Sequence, residues 1–592
     1  MSGAEGRMQA FLQRNETAFW VLLITAAACV MRFSGLTFQS YWFDELFSAY
    51  YSNPAHSVAR VIELTLKDVH PPLHQLSMWL SYRVLGYTEF AGRLPSALSG
   101  VATIPVIYLL GREFFDKQTG LYAAVLATPN YYLVHYAQEA RSYAFLCFLS
   151  CLSMLFFIRA LRSKSWLNLL LYTFATIALL YTHYFAFVML AIQGCILLVY
   201  WLRWAKGDRH LLIRAGIALV LVLAALLPLV PFIGQHAAIK EFWITQPPLR
   251  IAISYFIAYF NSEWLALFAA VLSLAALTAV ALQALRAQQP AWTTFAALGL
   301  TIWIGLGFLL PWLRGLTAQP VITDRNTIIL VPPIIILAAF GLRIIPTQAL
   351  QKTVVFAVLA ISLYHLVFEI QYYTAVKKNQ YREITAALTA YPVPMPVYAM
   401  KHNETKYNVY FEQTNSHLRA VDYRALESRL EAGTAEPVFW LVGGHLFGLD
   451  TDFEERFKLI PVALYSFRGT VAELVLNPRS ARRLAVEPSV LSGNGGNWIT
   501  VRPFVWKDEH AQLLVGLNAA ARRDPLRKVQ VDLLDVKGHI LESHSAELGA
   551  VPSTMQIFPE VRPGRSTRLV LRMPEGEPEP EVWVIEPDSA VR

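Results

Sequence analysis

Two adjacent carboxylates, Asp44 and Glu45, stand in the run Tyr41-Trp42-Phe43-Asp44-Glu45, shortly after the first long apolar segment. Carboxylates at a membrane surface are costly unless they are solvated, paired or used. One so placed can take a proton from an attacking hydroxyl. The groups such a reaction needs recur downstream. His70-Pro71-Pro72-Leu73-His74 is followed by Trp79, Tyr82, Arg83, Glu89 and Arg93. Then come His135-Tyr136-Ala137-Gln138-Glu139-Ala140-Arg141-Ser142-Tyr143, Tyr181-Thr182-His183-Tyr184 and Asp324-Arg325. Arg offers phosphate oxygens a forked donor set, and His adds a proton or a charge near neutral pH. Aromatic rings stack on sugars and anchor at membrane interfaces. Together these parts suit transfer of a sugar from a lipid-linked phosphate to a hydroxyl, with cations stabilising the leaving phosphate. Each has a structural reading as well. Asp44 and Glu45 can be a helix N-terminal acid pair. Arg141 can pair with Glu139, Arg93 can tie the long loop to the second span, and His183 can be a satisfied histidine in a turn.

These residues must be positioned by a membrane domain. The chain has 592 residues, 55% hydrophobic and 16% charged, the composition of a membrane protein. About eleven segments approach the roughly 17–25 residues that a spanning helix needs. They centre on Thr17–Phe33, Leu94–Leu110, Leu121–Ala137, Tyr143–Ile158, Trp166–Tyr181 and Phe185–Trp201. Ala215–Ile233, Trp264–Leu282, Phe295–Leu313, Ile328–Leu342 and Val354–Ile370 complete the set, and Leu249–Tyr259 reads as interfacial. Lys and Arg in alternate short loops (Arg112 and Lys117; Arg159, Arg162 and Lys164; Arg203, Lys206, Arg209 and Arg214; Arg286; Arg343 and Lys352) place those loops in the cytoplasm. The N-terminus is then cytoplasmic, and everything after Gln371 lies outside, in the periplasm of an inner-membrane protein. In that topology every cluster named above falls on the outer face.

All four cysteines, Cys29, Cys147, Cys151 and Cys195, fall in expected spans, and zinc-type ligand spacing is absent. The net charge of +8 suits loops facing an anionic leaflet. No soluble basic stripe with interleaved aromatics points to nucleic acid.

Three blocks follow from the patterning. Residues 1–371 form the membrane domain. Residues 372–477 alternate helix (Tyr381–Tyr391, Tyr423–Ala432) and strand (Pro396–Met400, and Val438–Val442 ending at Gly443-Gly444), which predicts an α/β domain. After the linker Pro478–Asn497, residues 498–592 turn strand-like at Val529–Leu534, Arg568–Arg572 and Glu581–Ile585, with a turn at Lys537-Gly538. That predicts a β-sandwich, either carbohydrate-binding or a spacer.

The run from Trp42 to Phe145 resembles the GT-C superfamily of membrane glycosyltransferases. The bacterial branch is that of the lipid A aminoarabinose transferases and protein O-mannosyltransferases. The resemblance is carried by Trp42-Phe43-Asp44-Glu45, His70-Pro71-Pro72-Leu73, Tyr87-Thr88-Glu89-Phe90-Ala91-Gly92-Arg93-Leu94-Pro95-Ser96 and Ala137-Gln138-Glu139-Ala140-Arg141-Ser142-Tyr143. Thr182-His183-Tyr184 and Asp324-Arg325-Asn326 fit it more loosely. It implies a polytopic α-helical fold and inverting transfer from a polyprenyl-phosphate sugar. The acceptor hydroxyl would belong to lipopolysaccharide, another glycan, a glycolipid or a protein. Asp44 falls at the catalytic acidic position as general base, and Glu45 would orient the acceptor or assist a metal. Some relatives use a divalent ion such as Mg2+ or Mn2+, for which Asp44 and Glu45 would be the ligands. His70 stands where the aminoarabinose transferases have a Lys assigned to the donor phosphate. Either His70 is protonated or another cation contributes, with Arg141 and Arg325 as candidates. Tyr41, Trp42, His74, Tyr82, Arg93, Glu139, Tyr143 and His183 would line the substrate site. Two readings from other classes compete: a transporter or flippase, and a noncatalytic sugar-binding assembly protein. The near absence of charge within the spans weighs against transport.

Overall fold

The protein is described from a computed structural model. It covers residues 2–68, 70–237, 244–286, 291–391, 393–401, 403–444, 449, 451–484, 486–489, 497–505, 512–517, 528–535, 539–547, 553–557, 566–573 and 581–585. The chain divides into two compact units. One comprises residues 1–39 and 48–376, the other residues 40–47 and 377–592.

The first unit is helical. Among the described residues, nine helices are long and apolar enough to cross a membrane: Glu16–Phe33, Glu89–Phe114, Tyr143–Ser163, Ala186–Arg203, Arg209–Gly234, Glu263–Arg286, Trp292–Arg314, Arg325–Ile344 and Gln348–Glu369. Glu89–Phe114, Tyr143–Ser163 and Arg325–Ile344 are the most buried and form the centre of the bundle. Small residues let neighbouring helices approach Glu89–Phe114 closely. A Cβ on Gly100 would lie 2.4 Å from that of Ala137, and one on Gly120 would lie 2.4 Å from the Tyr108 carbonyl oxygen. The helix Ile251–Ala258 has eight residues and buries none of them.

Two expected spans differ. Trp166–Leu180 is one helix of 15 residues, just under the length that crosses the hydrocarbon. The segment 121–137 is broken into two helices, Lys117–Ala127 and Tyr131–Ala137. Pro129 and Asn130 make the break, and Asn130 caps the second helix by accepting from Leu133 N–H. Asn130 also donates to Tyr259 O at 2.7 Å. Asn261 accepts from Tyr131 N–H at 2.8 Å and donates to Pro129 O and Ser362 O at 2.9 Å each. Interrupted backbone at membrane depth survives only when its polar groups are satisfied by protein, and these two asparagines satisfy them.

The second unit holds three sheets. The first, in strand order Ala420–Asp422, Val397–Ala399, Val438–Gly444, Thr470–Leu476, Ile460–Phe467, is parallel across its first three strands and antiparallel beyond. The helices Tyr381–Thr389, Glu404–Gln413, Tyr423–Glu431 and Thr451–Phe457 intervene between or precede its strands. This matches the expected α/β pattern. The Gly443-Gly444 pair ends a strand where Tyr407 hydroxyl bonds Gly443 O, and a Cβ on Gly444 would meet Tyr381. It is a packing site. The other two sheets, of five and four strands, contain antiparallel pairs throughout. Val531, Leu533, Leu569 and Leu571 are buried on one, and Val515, Val582 and Val584 on the other. The expected turn at Lys537-Gly538 lies outside the described residues.

Candidate active site

The helix Phe43–Tyr51 carries both acids in its first turn, where the helix dipole favours negative charge. Its entry is fixed by Glu45. Oε2 of Glu45 accepts from Trp42 N–H at 3.3 Å, and Trp42 O accepts the first helical bond from Leu46 N–H. This is the returning half of a capping box. The same Oε2 accepts from Lys378 Nζ at 2.9 Å, and the Glu45 side chain is fully buried. Phe43 and Phe47 lie edge to face, with the Lys406 ammonium 4.4 and 4.6 Å from their ring centroids. Burial brings the Lys406 pKa down to about 8. Tyr41 is buried against Tyr410, at 6.2 Å between ring centroids.

Four residues after Asp44 on this helix stands Ser48, which therefore shares its face. Ser48 Oγ accepts from Arg141 Nη1 at 3.1 Å. Arg141 Nη2 lies 3.3 Å from His70 Nε2, and His70 Nδ1 lies 3.3 Å from Asp68 Oδ2. Arginine only donates, so His70 Nε2 must accept, and the ring's proton sits on Nδ1 facing Asp68. Arg141, one of the two further cations considered from the sequence, is thus in contact with His70.

The backbone of Arg141 is fixed as well. Ser96 Oγ donates to Arg141 O at 3.0 Å, and His74 Nε2 lies 3.2 Å from Ser96 Oγ. Since the hydroxyl proton goes to the carbonyl, His74 donates from Nε2. Its Nδ1 has no hydrogen-bond partner among the described residues. A second proton there would be a buried charge beside Arg141. Burial first, then Arg141 and His70, push the His74 pKa down to about 3. His183 is similar. It accepts from Phe185 N–H through Nδ1, and burial, His70 and Arg141 hold its pKa well below the usual value. Its ring is edge to face with His70 at 5.8 Å and 6.0 Å from Tyr143. His70, His74, Arg141, Tyr143 and His183 thus form one cluster.

Glu139 Oε1 lies 3.4 Å from His135 Nε2. Arg325 opens the 310 turn that begins the helix Arg325–Ile344. Arg93 is buried and donates to Leu36 O and Gln39 O at 2.8 and 2.7 Å, the geometry of the structural reading. Tyr82 is buried, 4.8 Å from Tyr87 and edge to face. Ser48, Asp68, Lys378 and Lys406 were not singled out from the sequence. Ser48 was within reach as the i+4 neighbour of Asp44 on a helix, and Asp68 as the acid two residues before His70.

Among the described residues no three His, Cys, Asp or Glu side chains gather as a metal site. Glu45, the acid expected to assist, is committed to Lys378.

A bundle with a central helix trio, and an acid pair on a short helix after the first span, define the class: a polytopic membrane protein. Residues 69–234 match the family model described as dolichyl-phosphate-mannose-protein mannosyltransferase. ArnT from Cupriavidus metallidurans in the apo state is similar in structure, with a TM-score of 0.55 at 15% identity over 77% of this chain and 98% of that one. The same protein bound to undecaprenyl phosphate gives 0.52, at the same identity and coverage. At that identity the likeness is one of fold. No curated protein matches in sequence.

Proposed function

We propose that this protein is an inner-membrane glycosyltransferase. It moves a sugar, with inversion, from a polyprenyl-phosphate carrier to a hydroxyl on the periplasmic face. The observation that carries the reading is the placement of Asp44 one helical turn before Ser48, the residue held by Arg141. A base and a fixed cation thereby belong to one short helix and its immediate partner.

In this reading Asp44 takes the proton of the acceptor hydroxyl as its oxygen bonds to the anomeric carbon. The bond from that carbon to the phosphate oxygen breaks, and its electron pair leaves with the phosphate. Arg141 stabilises the charge that grows there, and Arg325 is a second candidate for it. His70, oriented by Asp68, holds the guanidinium of Arg141 in place and accepts from it. Glu45 takes no part in the chemistry; it fixes the start of the helix. Mg2+ or Mn2+ is not part of the proposal, because Glu45 is occupied by Lys378. ArnT from Cupriavidus metallidurans binds undecaprenyl phosphate, a carrier of the class proposed here.

Basic loops gather at one end of the membrane unit, which supports a cytoplasmic assignment for that end. Arg159, Arg162 and Trp292 converge on Glu113, Arg343 lies 3.5 Å from Asp116, and Lys164 bonds Asp208 at 2.7 Å. The acceptor is a glycan, glycolipid, lipopolysaccharide or protein hydroxyl. Incubating the purified protein with radiolabelled polyprenyl-phosphate sugars and envelope extract tests the reading. Label should pass to an extract component; its retention on every carrier tried would overturn the proposal.

A further inference from the structure

The segment Ser40–Phe47 belongs to the same compact unit as residues 377–592, although more than 300 residues of chain separate them. The contacts are specific. Ser40 hydroxyl donates to Asn379 O, and Tyr41 N–H donates to the Tyr410 hydroxyl, each at 2.5 Å. Lys406 lies against Phe43 and Phe47, and Lys378 bonds Glu45. At about 100° per residue, Phe43 and Phe47 lie on one side of the Asp44–Ser48 face of the helix and Glu45 on the other. Lys406 therefore holds one flank of that face and Lys378 the other. The face between them is the one that carries Asp44.

Building on the reading of Asp44 as base, we infer that Lys378 is a positioning residue that sets the helix bearing Asp44. The Lys378–Glu45 pair is nearly dry, with 12% and 0% of the side chains exposed. Removing one member of such a pair leaves a buried charge without compensation, whereas removing both does not. Formally, Lys378 also limits the acid pair to one net negative charge, so the base does not stand beside a second uncompensated carboxylate. The pair acts as a neutral strut, and the acidic motif contains one chemical residue and one structural one.

The test is a charge cycle in the full-length protein, read as kcat and donor KM with a radiolabelled polyprenyl-phosphate sugar. Lys378→Met should lower kcat on the order of 100-fold, with donor KM within about threefold, because the donor phosphate is held elsewhere. Lys378→Arg, which keeps the charge, should recover most of that loss. The double variant Lys378→Met/Glu45→Gln should return kcat to within about tenfold of the starting protein, because neither charge is left alone. If Lys378→Met does not fold, the double variant carries the test by itself. A double variant as inactive as Asp44→Asn would overturn the inference, since Glu45 would then be doing chemistry. So would a Lys378→Met variant that raises donor KM and leaves kcat unchanged. Full turnover by Asp44→Asn would instead remove the reading of Asp44 and leave the strut to stand on the cycle alone.

Discussion

Arg141→Met removes one cation and two hydrogen bonds from the cluster while keeping an apolar stem of similar length. The lost bonds are those to Ser48 Oγ at 3.1 Å and to His70 Nε2 at 3.3 Å. Bonds from a charged donor contribute about 1.5–3 kcal/mol each. Some of this returns as the Ser48 hydroxyl and the His70 ring find other partners, so the stability loss should be on the order of 2–4 kcal/mol. The catalytic effect is worked separately. One fixed donor aimed at growing charge in a water-poor site contributes about 2.7–4 kcal/mol, a factor of about 100–1,000 in kcat. Donor KM should rise too, by about tenfold, because the phosphate is already charged in the ground state. Arg141→Lys keeps the charge but loses the fork that reaches Ser48 and His70 together, so an intermediate loss of about tenfold is expected. Steady-state transfer at limiting and saturating donor gives both parameters, with thermal unfolding in detergent run beside it. A folded Arg141→Met protein with kcat and donor KM within about threefold of the parent would refute the assignment of Arg141 as the phosphate cation.

Two further outcomes concern the scaffold. His74 titrates near 3 in the folded protein and near 6.5 unfolded, so between those values the unfolded chain binds the extra proton. Stability should therefore be full above about pH 6.5 and fall as the pH drops toward about 3, and His74→Asn should flatten that slope. Thermal unfolding across that range checks it; identical slopes for both proteins would contradict the buried neutral imidazole. Asn261→Ala strips the helix break of three hydrogen bonds and should cost about 2–4 kcal/mol. A melting temperature unchanged from the parent would show that the break is held by other means.

The parts of the fold that were legible in the sequence are those with local signals. Apolar runs marked most of the membrane helices and the strand Val438–Gly444, and partial alternation marked Lys528–Leu534. Pro129-Asn130 was harder to read. An apolar stretch with one proline looks like a kinked span, and only the distant Asn261 makes a full break affordable. In the site, His70, Arg141 and His183 were visible as polar residues clustered beside apolar segments, and the structure brings them together. Arg93 illustrates the reverse: its type fits phosphate, but its guanidinium meets backbone carbonyls. Lys378 carries no local mark of its role. A lysine after the last membrane helix reads as a solvated charge until its partner, 333 residues earlier, is known. The acid pair therefore looked like two equivalent carboxylates, and their different roles emerge only from tertiary contact.

The central claim is that Asp44 is the base in sugar transfer from a polyprenyl-phosphate carrier. Its most direct test is single-turnover transfer from a radiolabelled donor by the parent and by purified, folded Asp44→Asn. That substitution keeps the volume and removes the proton acceptor, so the rate should fall by about 100-fold to 10,000-fold while the donor still binds. Transfer by Asp44→Asn at a rate near that of the parent would contradict the account.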